Sequence, residues 1–419
     1  MVKNVASAWT KMENILSRIF SIYLIFYFLF ISDVVSNFYP ILGSPFQFLN
    51  TNFIRFFNYL IFHKPFIKNI YFTDSSWIFL ASLSYFIIAI IIGVVWTVSG
   101  KQKNYTIFFK YVHTYARYYL AFVLFLFGFD KLTGNQFAFP QPSSLIEPVG
   151  NLDFHSLLWT FMGASSSYSF FTGLLETTAG ILLLFRHTCT IGGLVALSVL
   201  INVLMIDIGY DVLVKIMVFH FILIAIYILM PDIKKLFKIF IFKQKDSLAR
   251  IPSVIENPKY QWIHYISKFI VIAFAIFSLV NLEIRVSNQL NNPPHKNIVG
   301  IHQVKEFYLN HKQLSTCNTD SLSWKKIAIN SAPFLSIEFM NDSIADYTSQ
   351  FDTLKKTIEL SMWNDSTFKC NLHYTQAKPN EWLFEGTFKK DSIRFILNKV
   401  DMNNFTLLKD RGKIKWVWY

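Results

Sequence analysis

The chain has 419 residues, of which 53% are hydrophobic, 18% aromatic and only 16% charged. A water-soluble chain carries about a quarter charged residues, so that class is excluded and lipid must solvate much of the surface. The formal net charge of +13 does not argue for nucleic acid. The basic residues sit in short loops beside apolar runs, not on one water-facing element with interleaved aromatics.

Crossing a bilayer takes roughly 20 mostly apolar residues. The first such run, about 15–35, ends in Asp33-Val34-Val35-Ser36 without a small-x-small cleavage pattern, so it reads as a retained span. Further runs qualify at about 76–99, 112–130, 167–186, 188–207, 212–231 and 263–284. Basic residues mark the ends: Lys3, Lys11 and Arg18 before the first, Lys101, Lys103 and Lys110 after the second, Arg186 after the fourth. A denser group, Lys234, Lys235, Lys238, Lys243, Lys245 and Arg250, follows the sixth. Seven spans put all these groups on one side, which the positive-inside bias makes cytoplasmic. The expected setting is therefore the plasma (inner) membrane, with a cytoplasmic N-terminus and an extracytoplasmic C-terminal region.

Two stretches between spans read differently. Residues 45–72 are aromatic but interrupted by Arg55, His63, Lys64 and Pro65, which predicts an interfacial helix at the outer surface. Residues 134–165 carry Pro140, Pro142 and Pro148 before Leu157-Leu158-Trp159, which predicts a loop capped by a short helix.

After the linker Asn291-Asn292-Pro293-Pro294 the period changes to two. Runs at 324–329, 335–339, 368–374, 382–388 and 393–399 alternate apolar with polar, and Asn341-Asp342, Asn364-Asp365, Pro379-Asn380 and Lys390-Asp391 separate them. That pattern predicts an all-β antiparallel sandwich or up-and-down barrel. A ligand-holding barrel and a plain structural domain both fit.

Ionisable groups within spans are costly and are functional candidates by default. Glu176, Asn202 and His220 fall near mid-depth on three different spans. Asp130, Lys131, Asp207, Asp211 and Lys215 form a second layer nearer the outer surface, and Arg117 lies towards the inner side beside Tyr115, Tyr118 and Tyr119. Glu176 and His220 have the chemistry of a proton-exchanging pair, or Lys215 or Arg117 pairs with Glu176. The structural readings compete: Asn202 as interhelical glue, His220 as a satisfied core histidine, and the lysines, aspartates and Arg117 snorkelling to the interface. Gly173, Gly180, Gly192 and Gly193 suit close helix packing. No metal or catalytic motif is encoded among Cys189, Cys317 and Cys370. Cys317 and Cys370 share an oxidising compartment, so a disulfide competes with a buried free Cys370 thiol.

Residues about 112–237 resemble the DoxX-like membrane proteins. The resemblance rests on Arg117-Tyr118-Tyr119, Gly128-Phe129-Asp130-Lys131-Leu132, Trp159-Thr160-Phe161-Met162-Gly163 and Gly173-Leu174-Leu175-Glu176. It continues through Gly180 to Arg186 and Tyr210-Asp211-Val212-Leu213-Val214-Lys215. It implies a four-helix core with a polar interior. Some members are associated with quinone-linked oxidation of sulfur compounds and others with redox homeostasis or maturation of partner enzymes, which leaves the cofactor open, with quinone one candidate. The expected organisation is N-terminal spans over 1–110, the DoxX-like core over 111–237, a cytoplasmic loop and seventh span over 238–290, and a β domain over 295–419. The expected role is an auxiliary component of a redox or envelope system, with a quinone, lipid or small ligand in the bundle and a protein partner on the β domain. The competing roles are a membrane-anchored assembly protein acting through that domain and a quinone-linked oxidoreductase subunit.

Overall fold

The computed structural model describes residues 10–31, 50–60, 63, 74–99, 105–245, 292–314, 322–362 and 365–409, with scattered positions between 262 and 284. The chain forms two compact units: Met1–Phe129 with Gly173–Ala275, and Asp130–Thr172 with Ile276–Tyr419.

The first unit is helical. Thr10 caps α1 (Lys11–Phe26) through a reciprocal pair with Glu13, and the helix widens into a π-helical turn over Tyr27–Ile31. α2 (Ser76–Ser99) and α3 (Tyr105–Thr133) follow. α6 (Ser166–Leu184), α7 (Cys189–Gly209), α8 (Lys215–Leu229) and α9 (Ile233–Phe240) come after the intervening segment described below. Among the described residues, five helices are long and apolar enough to cross a membrane: α1 with its π turn, α2, α3, α6 and α7. α8 with α9 makes a sixth if the pair is one span, bent by 77° at its break. Pro231 stands at that break and has no N–H to continue the helix. The described positions between 262 and 284, within the seventh predicted span, are helical. Residues 50–60 are also helical; Ile54 is buried against Leu80 and Ala81 of α2, while Phe56 and Tyr59 are exposed.

The unit's core is where α1, α3, α6, α7 and α8 meet, around Leu24, Leu120, Leu124, Leu183, Leu200, Phe221 and Ile224. α8 is buried nearly all round, which explains why its apolar residues show no helical stripe. A Cβ on Gly180 would stand 3.1 Å from the Ala121 carbonyl, and one on Gly193 would stand 2.9 Å from Leu229 Cδ2. Helix backbones approach this closely only where a side chain is missing.

The second unit holds the β domain. Nine strands run β1 (Gly300–Leu309), β2 (Lys312–Gln313), β3 (Trp324–Ile329), β4 (Phe334–Phe339), β5 (Ile344–Asp352), β6 (Thr357–Met362), β7 (Asp365–Lys378), β8 (Glu381–Phe388) and β9 (Asp391–Lys399). All neighbours are antiparallel; β1 also pairs with β9, and the two-residue β2 pairs only with β1. The other eight strands close into an up-and-down barrel, which resolves the choice between sandwich and barrel. Closure removes the exposed edges that an open sheet would offer.

α4 (Pro142–Ile146) and α5 (Phe154–Ala164) belong to this second unit. Two reciprocal bonds tie the start of α4 to the β3–β4 turn: Ser143 N–H donates to Asn330 Oδ1 at 3.0 Å, and Ser331 N–H donates to Gln141 Oε1 at 3.1 Å. The loop expected at the outer membrane surface thus packs with the barrel and contains two helices.

Candidate functional site

The predicted site residues divide according to their partners. His220 is 3% exposed on α8. Its Nδ1 lies 2.6 Å from the Ile216 carbonyl, which can only accept, so Nδ1 carries the proton. Neutral imidazole then has Nε2 as acceptor, and Tyr23 O–H donates to it at 2.6 Å. Tyr27 lies against the same ring, 4.5 Å away and 7° from parallel, at the point where α1 widens. Seven residues along α8, Tyr227 O–H donates to Ser21 Oγ at 2.6 Å, since the Ser21 hydrogen is committed to the Ser17 carbonyl. α1 and α8 are therefore clasped by two buried hydrogen bonds, and neither nitrogen of His220 is left for Glu176.

Lys215 is occupied as well. Its ammonium lies 2.8 Å from Asp211 and 3.5 Å from Asp74. Asp74 also accepts the Lys215 and Ile216 N–H groups at 3.0 and 2.9 Å, capping the start of α8 from the segment before α2. Asp211 is exposed and has a positive φ of 50°. Asn202 is exposed on α7, whereas Asp207 on the same helix is buried. The mid-depth level thus has two buried members, Glu176 and His220. Glu176 is 3% exposed on α6. Lys131 is buried in the second unit.

Arg117 does not snorkel outward. It is 4% exposed, with its guanidinium 4.8 Å over the Tyr118 ring and a hydrogen bond to Cys189. One turn earlier His113 is fully buried and meets the Ile228 carbonyl at 3.0 Å. Nearby, Thr190 O–H donates to Asp232 Oδ2 at 2.6 Å, at the break between α8 and α9. The sequence reading did not single out Tyr23, Tyr27, His113, Asp74 or Asp232. Tyr23 and Tyr27 sit four apart on one helical face, a spacing that could have flagged them.

The barrel interior is filled. Phe384 and Phe395 stack 5.1 Å apart and 6° from parallel, Trp324 lies 4.9 Å from Phe395, and Phe395 and Leu397 are fully buried. Eight strands enclose a space just wide enough for side chains. Cys370 is a buried free thiol here, and burial pushes its pKa up to about 12, so it stays protonated and inert. Cys317 lies outside the described residues. His302 is also fully buried. Its Nε2–H donates to the Ile298 carbonyl at 2.7 Å, and burial, with the positive Lys399 nearby, lowers its pKa to about 4.

On the outside of the barrel, β1 bulges at Lys305 and pairs with β3 only through Gly300–Gln303. A cleft of about 480 Å³, lined by Gln303, Val304, Lys305, Lys325, Met340 and Asn398, lies there. Lys325 in its wall is held by Glu338 and Asp342, and Lys305 faces Glu381 at 3.8 Å. The wall is polar and charge-balanced, and its volume suits a side chain or short peptide segment. Among the described residues, no group of three or more His, Cys, Asp or Glu could hold a metal ion.

The chain is similar to the uncharacterized protein YwoB of Bacillus subtilis (strain 168), 30% identical over 131 residues that cover 31% of this chain and 83% of that protein. No family model matches the chain, and no solved structure does.

Proposed function

The chain belongs to the YwoB family through 131 residues, 31% of its length, and we propose that it is a membrane-anchored interaction protein that acts through the outer face of its barrel. Residues 111–237 are read as the DoxX-like four-helix core, set in the inner membrane with the N-terminus cytoplasmic and the barrel outside. The observation that carries this reading is the filled barrel beside an external cleft. Phe307, Trp324, Phe384 and Phe395 pack together inside the barrel, which supports recognition at its outer surface. Within the bundle, His220 and Lys215 are engaged by Tyr23 and Asp74, which supports a structural role for them.

Photo-cross-linking residues placed in cells at Gln303 and Met340, with Thr387 as control, test the proposal. The expected result is one protein captured from both cleft positions and not from the control. Equal capture at all three positions, or none, would refute it.

Glu176 supports a second reading. A carboxyl 3% exposed within a span fits a quinone, lipid or small ligand held in the bundle by an auxiliary component of a redox system.

A further inference from the structure

We propose that α9 is an interfacial helix that lies on the membrane surface and binds anionic phospholipid headgroups, on the same side of the bilayer as the start of α1. Three observations carry this. First, α9 turns 77° from α8, so it runs across the end of that buried apolar helix instead of prolonging it. Second, its two faces differ in chemistry. At 3.6 residues per turn, Ile233, Leu236, Phe237, Phe240 and Ile241 share one side, and Lys234, Lys235 and Lys238 share the other. Phe237 is 53% and Phe240 70% exposed to the surroundings, and no residue of the helix is buried. A short helix with a wide aromatic and aliphatic arc opposite lysines seats that arc at the boundary between headgroups and acyl chains. Third, Lys234 pairs with Glu13 at 2.6 Å, which fixes α9 at the level of the first turn of α1. That level is where a span leaves the hydrocarbon, and it places Lys235, Lys238, Lys243 and Lys245 among headgroups. Ammonium groups crowded next to a bilayer select anionic lipid.

The inference rests on the helical unit crossing a membrane and is independent of what the barrel binds. It is tested with the full chain in lipid discs of phosphatidylcholine alone or mixed with phosphatidylglycerol. Spin labels are placed by Phe240→Cys or Lys238→Cys in a Cys317→Ser background. The expected result is a label at 240 reached by oxygen and shielded from a water-soluble nickel chelate, with the opposite at 238. Mass spectrometry of the mixed discs should find phosphatidylglycerol enriched around the protein. That enrichment should be lost when Lys235, Lys238, Lys243 and Lys245 all become Gln, and persist when they become Arg. Nickel access at both positions would put α9 in water and overturn the proposal. Shielding of both positions from both probes would mean a second protein surface covers α9, which also overturns it. Unchanged enrichment in the Gln variant would overturn the headgroup assignment.

Discussion

His302 shows how one buried side chain can set the pH range of a domain. It is fully buried, with Nε2–H spent on the Ile298 carbonyl and its folded pKa lowered from 6.5 to about 4. The unfolded chain therefore binds a proton between those values that the folded barrel refuses. Stability from this group is complete above pH 6.5 and is lost as pH falls towards about 4, by about 3 kcal/mol in all. Hydrogen exchange of β1 amides in the full chain, corrected for intrinsic rates, should show protection falling over that window. His302→Leu should flatten the dependence; an unchanged slope would assign the effect to other groups. Cys370 was legible as core-facing because it alternates with Phe368, Leu372 and Tyr374. His302 was not, because β1 bulges at Lys305 and breaks the alternation that would have marked a strand.

At the scale of elements, long apolar helices were the most legible. The predicted 76–99 and 188–207 runs differ from α2 and α7 by no more than two residues, since hydropathy alone decides them. β3, β8 and β9 were legible for a similar reason. β5 was not: it is mostly polar, with Asp346, Thr348, Ser349 and Gln350. Its strand state comes from neighbours on both sides, which its local pattern does not encode. The polar contacts between helices were least legible, because a tyrosine in an apolar run reads as an interfacial anchor until its partner is known. The Tyr23–His220 bond is such a contact, and it joins α1 to α8. Tyr23→Phe should destabilise the detergent-solubilised protein by about 1–3 kcal/mol, the cost of a buried acceptor left unsatisfied. His220→Phe added to Tyr23→Phe should cost little more, because both partners are then apolar. A thermal-unfolding double-mutant cycle checks this, and additive losses would show that the two side chains act independently.

At the scale of the whole molecule, one chain combines a bundle whose buried polar groups largely serve each other with a closed barrel whose interior is filled by its own side chains. The sequence made the membrane part and the β part visible through a change of period near Pro293-Pro294. It did not reveal that residues 130–172 fold with the barrel, because the bonds at Asn330 and Gln141 join positions nearly two hundred residues apart. Nor did it separate Glu176, buried on α6, from Asn202, exposed on α7, because depth along a span does not determine which way a side chain faces. In the proposed function the barrel surface, and not the bundle interior, holds the partner. Mass spectrometry of the protein extracted in native lipid discs, wild type beside Glu176→Gln, tests it most directly. The expected result is a protein partner retained equally by both and no stoichiometric small molecule. A quinone or other small molecule bound one to one in the wild type and lost from Glu176→Gln would contradict it.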